Sequence, residues 1–152
     1  MLMPLNEYPW SPKYGWLQDR FGVNWQLSFG SLKEMGQKFT PSLMFTGKYN
    51  GMAEDAINFY SSIFPNSYVR LVARYEKGEN DTEGNIKHAQ FILDNHIFAA
   101  IESSLMHNFT FNEAFSFVVE CDSQEEIDYF WNKLTEGGEE VHFGWLKDKY
   151  GL

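Results

Sequence analysis

Tyr14-Gly-Trp-Leu-Gln-Asp-Arg-Phe-Gly-Val23 returns 129 residues later as Phe143-Gly-Trp-Leu-Lys-Asp-Lys-Tyr-Gly-Leu152, with five of ten positions identical and the others chemically similar. That separation is close to the length of one ordinary domain, so the chain starts inside the end of one copy of a unit and runs on through most of another. After Val23 the first copy continues Asn24-Trp-Gln-Leu-Ser-Phe29, an alternating run that reads as a strand. The second copy reaches Leu152 where the counterpart of that strand would begin. A closing strand is therefore expected at the opposite end of the chain from the module it closes.

Outward from this repeat, residues 1–13 carry three prolines and read as an irregular approach. Residues 15–18 and 23–29 read as a hairpin, with Gly22 supplying a left-handed position in the turn. Together residues 1–29 form a tail resembling the end of a preceding copy. Residues 30–38 are polar, with two glycines, and read as a linker. From residue 39 a second body unfolds in order. Pro41 to Phe45 is a strand. Ala53, Ala56, Ile57, Tyr60, Ile63 and Phe64 recur at helical spacing behind an acidic first turn. Tyr68 to Tyr75 alternates as a strand, and Glu76 to Lys87 reads as a loop. His88–Leu93 and His96–Ser103 flank Asp94-Asn95, a pair suited to a two-residue hairpin. A second round follows: a strand over Ala114–Cys121, then a helix capped by Ser123 with Glu126 and closed by Gly137, then strands over 139–143 and 144–147. The order is βαβββ followed by βαββ, an α+β chain with the last strand missing at the C-terminus.

The net charge of -9, with only 12 Lys and Arg, lacks the basic footprint that nucleic acid requires. The opening residues have neither a basic start nor a long apolar run, which argues against a signal peptide or a membrane span. Cys121 is the only cysteine, so no intrachain disulfide forms, and a cytoplasmic location is expected.

Two βαβββ modules in succession resemble the vicinal oxygen chelate superfamily, the fold of glyoxalase I, bleomycin-resistance proteins and extradiol dioxygenases. More closely, Phe39-Thr-Pro-Ser-Leu-Met-Phe45, Ala53 through Ser67, Phe109 through Phe117 and Gly144 through Gly151 resemble the PhnB-like proteins, often labelled demethylubiquinone methyltransferase-like. The resemblance covers residues 39–152 as one domain and implies a curved mixed sheet of paired modules with a ligand cup. S-adenosylmethionine enzymes normally carry a Gly-rich loop between a strand and a helix, and this sequence has none, so the methyltransferase label is doubted.

In the metal enzymes of that superfamily, ligands come from the first and last strands of each module. The matching positions here fall near Thr40, Ala114, Glu102 and Gln26. Thr40 and Ala114 offer no imidazole, so no metal and no cofactor is assigned, a divalent metal being the alternative. The expected ligand-binding cup holds Met44, Glu102, Phe117, Trp145 and Gln26, with Glu102 the candidate catalytic group. Glu102 has two readings: a cross-strand ion pair with Lys87, or a polar anchor or base in the cup. His88, His96, His107 and His142 form no cluster in the sequence and read as surface or hydrogen-bonded groups. Cys121 lies between Glu120 and Asp122, which oppose thiolate formation. Arg70 and Arg74 share a strand face and either bind an anion or reach into water.

The expected function is that of a PhnB-like protein binding an unknown small molecule in an apolar cup without a catalytic metal. The alternatives are a metal-dependent lyase or dioxygenase and a non-catalytic assembly unit of a tandem protein. A sheet ending at Leu152 would leave an edge that residues 23–29 suit, within the chain or between chains, and a homodimer with strand exchange is expected.

Overall fold

Strand β1 (Met3–Tyr8) turns back through Pro9-Trp10 onto β2 (Ser11–Gln18) in the computed structural model, which describes residues 2–152. Residues 1–13 are therefore not the irregular approach expected from their prolines. Pro4 lies at a register shift in an edge strand, Pro9 occupies the turn, and Pro12 precedes the first β2 position that pairs on both sides. These are the places in a sheet where a missing N–H costs no ladder bond. Tyr8, Trp10 and Tyr14 stack around the turn with ring centroids 5.1–5.8 Å apart. β2 then pairs with β3 (Asn24–Ser28) across the hairpin read from the sequence, Leu17 facing Trp25 and Gln18 facing Asn24. The three antiparallel strands and the one-turn helix α1 (Leu32–Met35), stopped by a left-handed Gly36, belong to a compact unit of residues 1–39.

The second unit, residues 40–152, begins with β4 (Ser42–Thr46), followed by α2 (Ala53–Ile63), β5 (Tyr68–Arg74), β6 (Ile86–Leu93) and β7 (His96–Ser103). Asp94 and Asn95 both take left-handed backbone angles, φ 43° and 64°, and close the β6–β7 hairpin in the register that sets Leu93 opposite His96. The sheet order is β4-β7-β6-β5, with β4 parallel to β7 and the other pairs antiparallel. This is a complete βαβββ module, and the fold class is the α+β one of the sequence reading. Ala53, Ala56, Ile57 and Tyr60 of α2 lie against Leu43, Phe45, Ala89, Phe91 and Ala100 in one buried cluster. Each large apolar side chain taken out of water there contributes roughly 1.5–3 kcal/mol. β5, at the rim, has two register shifts, between Val69 and Leu71 and between Ala73 and Arg74, and all its residues are exposed.

The second module departs from the reading. Residues 114–121 form no strand. In the complete module the first strand is held by a parallel ladder to the fourth, β4 to β7, and among the described residues no strand pairs with 114–121. Helix α3 (Gln124–Leu134) does form, with the Ser123 hydroxyl accepting the Glu126 amide. The two strands expected over 139–143 and 144–147 shrink to β8 (Glu139–Glu140) and β9 (Leu146–Lys147). Phe143 and Gly144 both have positive φ, 66° and 78°, and break the extended run between them. Gly138 is required beside this ribbon, since a Cβ would sit 2.2 Å from the Lys147 carbonyl oxygen.

The sequence repeat is also a repeat of hydrogen bonds. Asp19 donates its amide to the Val23 carbonyl and Asp148 to the Leu152 carbonyl, both at 2.9 Å. Asp19 Oδ1 accepts from the amides of Phe21 and Val23 at 2.8 and 3.0 Å, and Asp148 Oδ1 from those of Tyr150 and Leu152 at 2.9 and 3.0 Å. The remaining oxygens differ. Asp19 Oδ2 accepts from the Trp25 indole at 2.9 Å at the surface, whereas Asp148 Oδ2 accepts from the buried Tyr60 hydroxyl of α2 at 2.5 Å. Burial pushes the Asp148 carboxyl above its ordinary range and the Tyr60 hydroxyl well above its own. Asp148→Ala would strand three donors, so the urea unfolding of the second unit is expected to lose at least about 2 kcal/mol. Asp19→Ala is expected to leave that transition where it is.

Candidate functional site

Glu102 decides which parts of the expected cup exist. Its partner across the parallel ladder is Phe45, which places its side chain on the α2 side of the sheet, 3% exposed. There Oε1 accepts the Ala53 amide at 2.8 Å and Oε2 the Ile86 amide at 2.5 Å. Ala53 opens α2, and Met52 before it has no side chain able to cap a helix. A carboxylate from β7 thus satisfies one of the helix's first free amides, and its charge suits the positive end of the helix dipole. The ion pair expected with Lys87 is absent. Lys87 instead binds Glu79 and lies 5.8 Å from the Tyr75 ring centre. Each Glu102 oxygen thus accepts a backbone amide, which accounts for a carboxylate buried at this position. Glu102→Gln would set an amide N–H against a backbone N–H and is expected to destabilise the second unit by about 2 kcal/mol or more, measured as a lower denaturation midpoint.

Met44, Phe117 and Trp145, the other expected cup residues of the second unit, do not converge on Glu102 from one side. Met44 pairs with Ile101 on the opposite face of the sheet. Phe117 packs edge-on to Phe98 at 5.3 Å, and Phe98 stacks in turn on buried Phe91 of the α2 side. Trp145 is half-exposed, just before β9, and Gln26 accepts the Tyr14 hydroxyl at 2.8 Å within the first unit. Elsewhere, Arg74 is bound to Glu54 at 2.6 Å. The Cys121 thiol is held above its ordinary range by partial burial and the carboxylates of Glu126, Glu120 and Asp122.

On the face away from α2 the ladders assemble two rows across the sheet. One is Ser42, Ala99, Gln90 and Leu71. Strand alternation places the next row at Met44, Ile101, His88 and Ala73. Met44, Ile101, His88 and Gln90 are all half-buried. Ser103 ends the face on β7, with the His107 Nε2 2.9 Å from its hydroxyl, and the Thr46 hydroxyl donates to the Phe109 carbonyl at 2.8 Å. Burial alone holds the His88 imidazole below its ordinary range, so it is neutral at pH 7. Neither the His88 imidazole nor the Gln90 side-chain amide has a hydrogen-bond partner among the described residues. The sequence reading set His88 at a hairpin end and passed over Gln90. The signal lay in the run Lys87-His-Ala-Gln-Phe-Ile-Leu93, where His88 and Gln90 alternate with the buried residues Ala89, Phe91 and Leu93. Among the described residues no three His, Cys, Asp or Glu side chains come together as a metal site would require.

A folded pKa below the unfolded one means that His88 contributes its full stability above the unfolded value of about 6.5 and loses it as pH falls below that. Wild type is therefore expected to lose stability between about pH 7.5 and pH 5.5, and His88→Gln to lose less, measured by urea midpoints across that range.

Residues 37–152 match the family described as 3-demethylubiquinone-9 3-methyltransferase. The chain belongs to this family, the PhnB-like proteins. The PhnB protein from Bacillus cereus is 41% identical over 76% of this chain and 95% of its own, with a TM-score of 0.67. A Pseudomonas aeruginosa protein is similar in fold at 18% identity, over 76% of this chain and 92% of its own, with a TM-score of 0.61. No curated protein matches the sequence. The family match takes in all of the second unit, and with it Glu102, His88 and Gln90, and leaves residues 1–36 outside. No helix among the described residues of this PhnB-like chain is long and apolar enough to cross a membrane.

Proposed function

We propose that this PhnB-like chain is a cytoplasmic member of the vicinal oxygen chelate superfamily that binds a small, largely apolar molecule on the sheet face of Met44 and Ile101. His88 and Gln90 are its polar contacts, and no metal takes part. The observation that carries this reading is a neutral imidazole and an amide, both half-buried and both without a protein partner, set among apolar side chains. Half-buried polar groups of this kind lose water contacts that a ligand can replace, and a few such groups on an apolar surface are the usual composition of a ligand site. A neutral imidazole both donates and accepts, so a flat ring carrying a hydroxyl or carbonyl suits the pair. The hydroxylated quinone ring in the family's description is of that chemical class, and it enters here as a ligand rather than as a methyl acceptor. Glu102 supports the site from the far face by fixing β7 to α2 and β6.

The test is calorimetric titration of the purified chain with a hydroxylated benzoquinone. Saturable binding is expected, weakened about tenfold or more by Met44→Lys and by His88→Leu. Binding that Met44→Lys leaves unchanged would place the ligand elsewhere and reject the reading.

A further inference from the structure

One row beyond Met44, Ile101 and His88, strands β4 and β7 end at Thr46 and Ser103, which pair across the parallel ladder and project to the same side. Residues 104–109 are a loop tied across that end by both hydroxyls. Thr46 donates to the Phe109 carbonyl at 2.8 Å, and the Ser103 hydroxyl lies 2.9 Å from the His107 Nε2. Asp81, in the loop between β5 and β6, accepts the Ser104 amide with its two oxygens at 3.2 and 3.0 Å, so the start of the crossing is fixed as well. Further on, Phe111 turns edge-on to buried Phe45 at 5.1 Å. These contacts hold His107 and Phe109 as a wall at the end of the face, their rings 5.0 Å apart.

The hydrogen-bonding groups of this wall leave one proton position open to a ligand. Ser103 is 6% exposed, so its hydroxyl finds its partners inside the protein. It accepts the Leu105 amide at 3.3 Å, and among the described residues the one acceptor in reach of its proton is the His107 Nε2. Ser103 therefore donates and Nε2 accepts, which leaves the ring proton on Nδ1. Nδ1 has no protein partner among the described residues, and the imidazole is half-buried. His88 lies diagonally across the strands from Ser103, roughly 7–8 Å away at the backbone. A ring seated on Met44 and Ile101 thus has His88 beside it, Gln90 one row behind it and the loop one row ahead.

We propose that His107 makes this face selective for ring compounds with a hydroxyl at one end and a carbonyl oxygen at the other, a proposal that rests on the ligand face described above. The hydroxyl meets His88 and Gln90, which both donate and accept, and the carbonyl oxygen accepts the Nδ1–H of His107. With its lone pair used by Ser103, His107 can only donate, and a ligand with an alkyl group at that end leaves the donor unmet. An aryl ketone or a quinone, rather than a simple phenol, is therefore the class that fits. Ser103 is a positioning residue: without its hydroxyl the ring proton returns to Nε2, and the lone pair of Nδ1 then faces the carbonyl oxygen.

Heteronuclear NMR of the histidine ring nitrogens in alkaline buffer, with calorimetric titrations of para-hydroxyacetophenone and para-ethylphenol, tests the proposal. The two compounds share a shape and differ in a carbonyl against a methylene. In the wild-type chain the His107 proton is expected on Nδ1, and the ketone is expected to bind at least about fivefold more tightly. Ser103→Ala is expected to move the proton to Nε2 and to bring the ratio toward one, and Ser103→Thr, which keeps the hydroxyl, to restore both. His107→Phe, on the loop rather than in the sheet, is expected to remove the preference as well, and keeps the test open should Ser103→Ala fail to fold. A wild-type ring proton on Nε2, or equal binding of the two compounds, overturns the proposal. If Met44→Lys still weakens both compounds when they bind equally, the ligand face stands and the role of His107 alone fails. If neither compound binds, the face and the role of His107 fail together.

Discussion

The Glu102 carboxylate, closed off from water between the amides of Ala53 and Ile86, ties three elements together at one point. It reaches from the end of β7 to the first turn of α2 and to the first residue of β6. A buried carboxylate without partners would be too costly to ionise, and a helix starting at Ala53 without an acceptor would leave its own donors unsatisfied. Each solves the other's problem. The same bonds set the position of α2 over Leu43 and Phe45, and so decide which side chains are left for the opposite face. Met44, Ile101, His88 and Gln90 project away from the helix because their neighbours in the strands are committed to it.

The two Asp turns show how one local arrangement takes on different duties. Backbone amides two and four residues ahead bind one carboxylate oxygen in both copies, so Asp-x-x-Gly-x builds the turn wherever it occurs. The second oxygen is set by context. At Asp19 it holds an indole in the same hairpin, and at Asp148 it holds the Tyr60 hydroxyl in the middle of α2. The second case couples the C-terminal residues to the core of the module, at the cost of a half-desolvated carboxylate among aromatic rings.

What was legible in the sequence was local. Asp94-Asn95 forced a two-residue hairpin because both residues tolerate left-handed angles, and that fixed the β6–β7 register correctly. The stripe through Ala53, Ala56, Ile57 and Tyr60 gave α2, and Ser123 with Glu126 gave the start of α3. What was not legible depended on distant partners. Glu102 binds amides 49 and 16 residues away, and nothing in its neighbourhood announces that, so the nearby Lys87 drew the pairing instead. Residues 114–121 have the composition of a strand, but a strand exists only with a neighbour. The prolines of residues 1–13 were misleading because turn and edge positions, where proline is tolerated, cannot be told from sequence. His88 was set at a hairpin end and Gln90 passed over because the strand was begun at His88, whereas β6 begins at Ile86.

The irregular pairing of β5 has a consequence for how copies of this protein associate. A straight rim with Tyr68, Val69, Leu71 and Val72 exposed would be a template on which one sheet could stack against the next without end. The extra residue at Arg70 kinks the rim and sets the amides on either side of it out of step with a regular partner, while the second shift places its extra residue, Lys87, in β6. Growth in that direction is interrupted within a strand of seven residues. Whatever assemblies the chain enters are thereby steered toward finite complexes and away from fibrils.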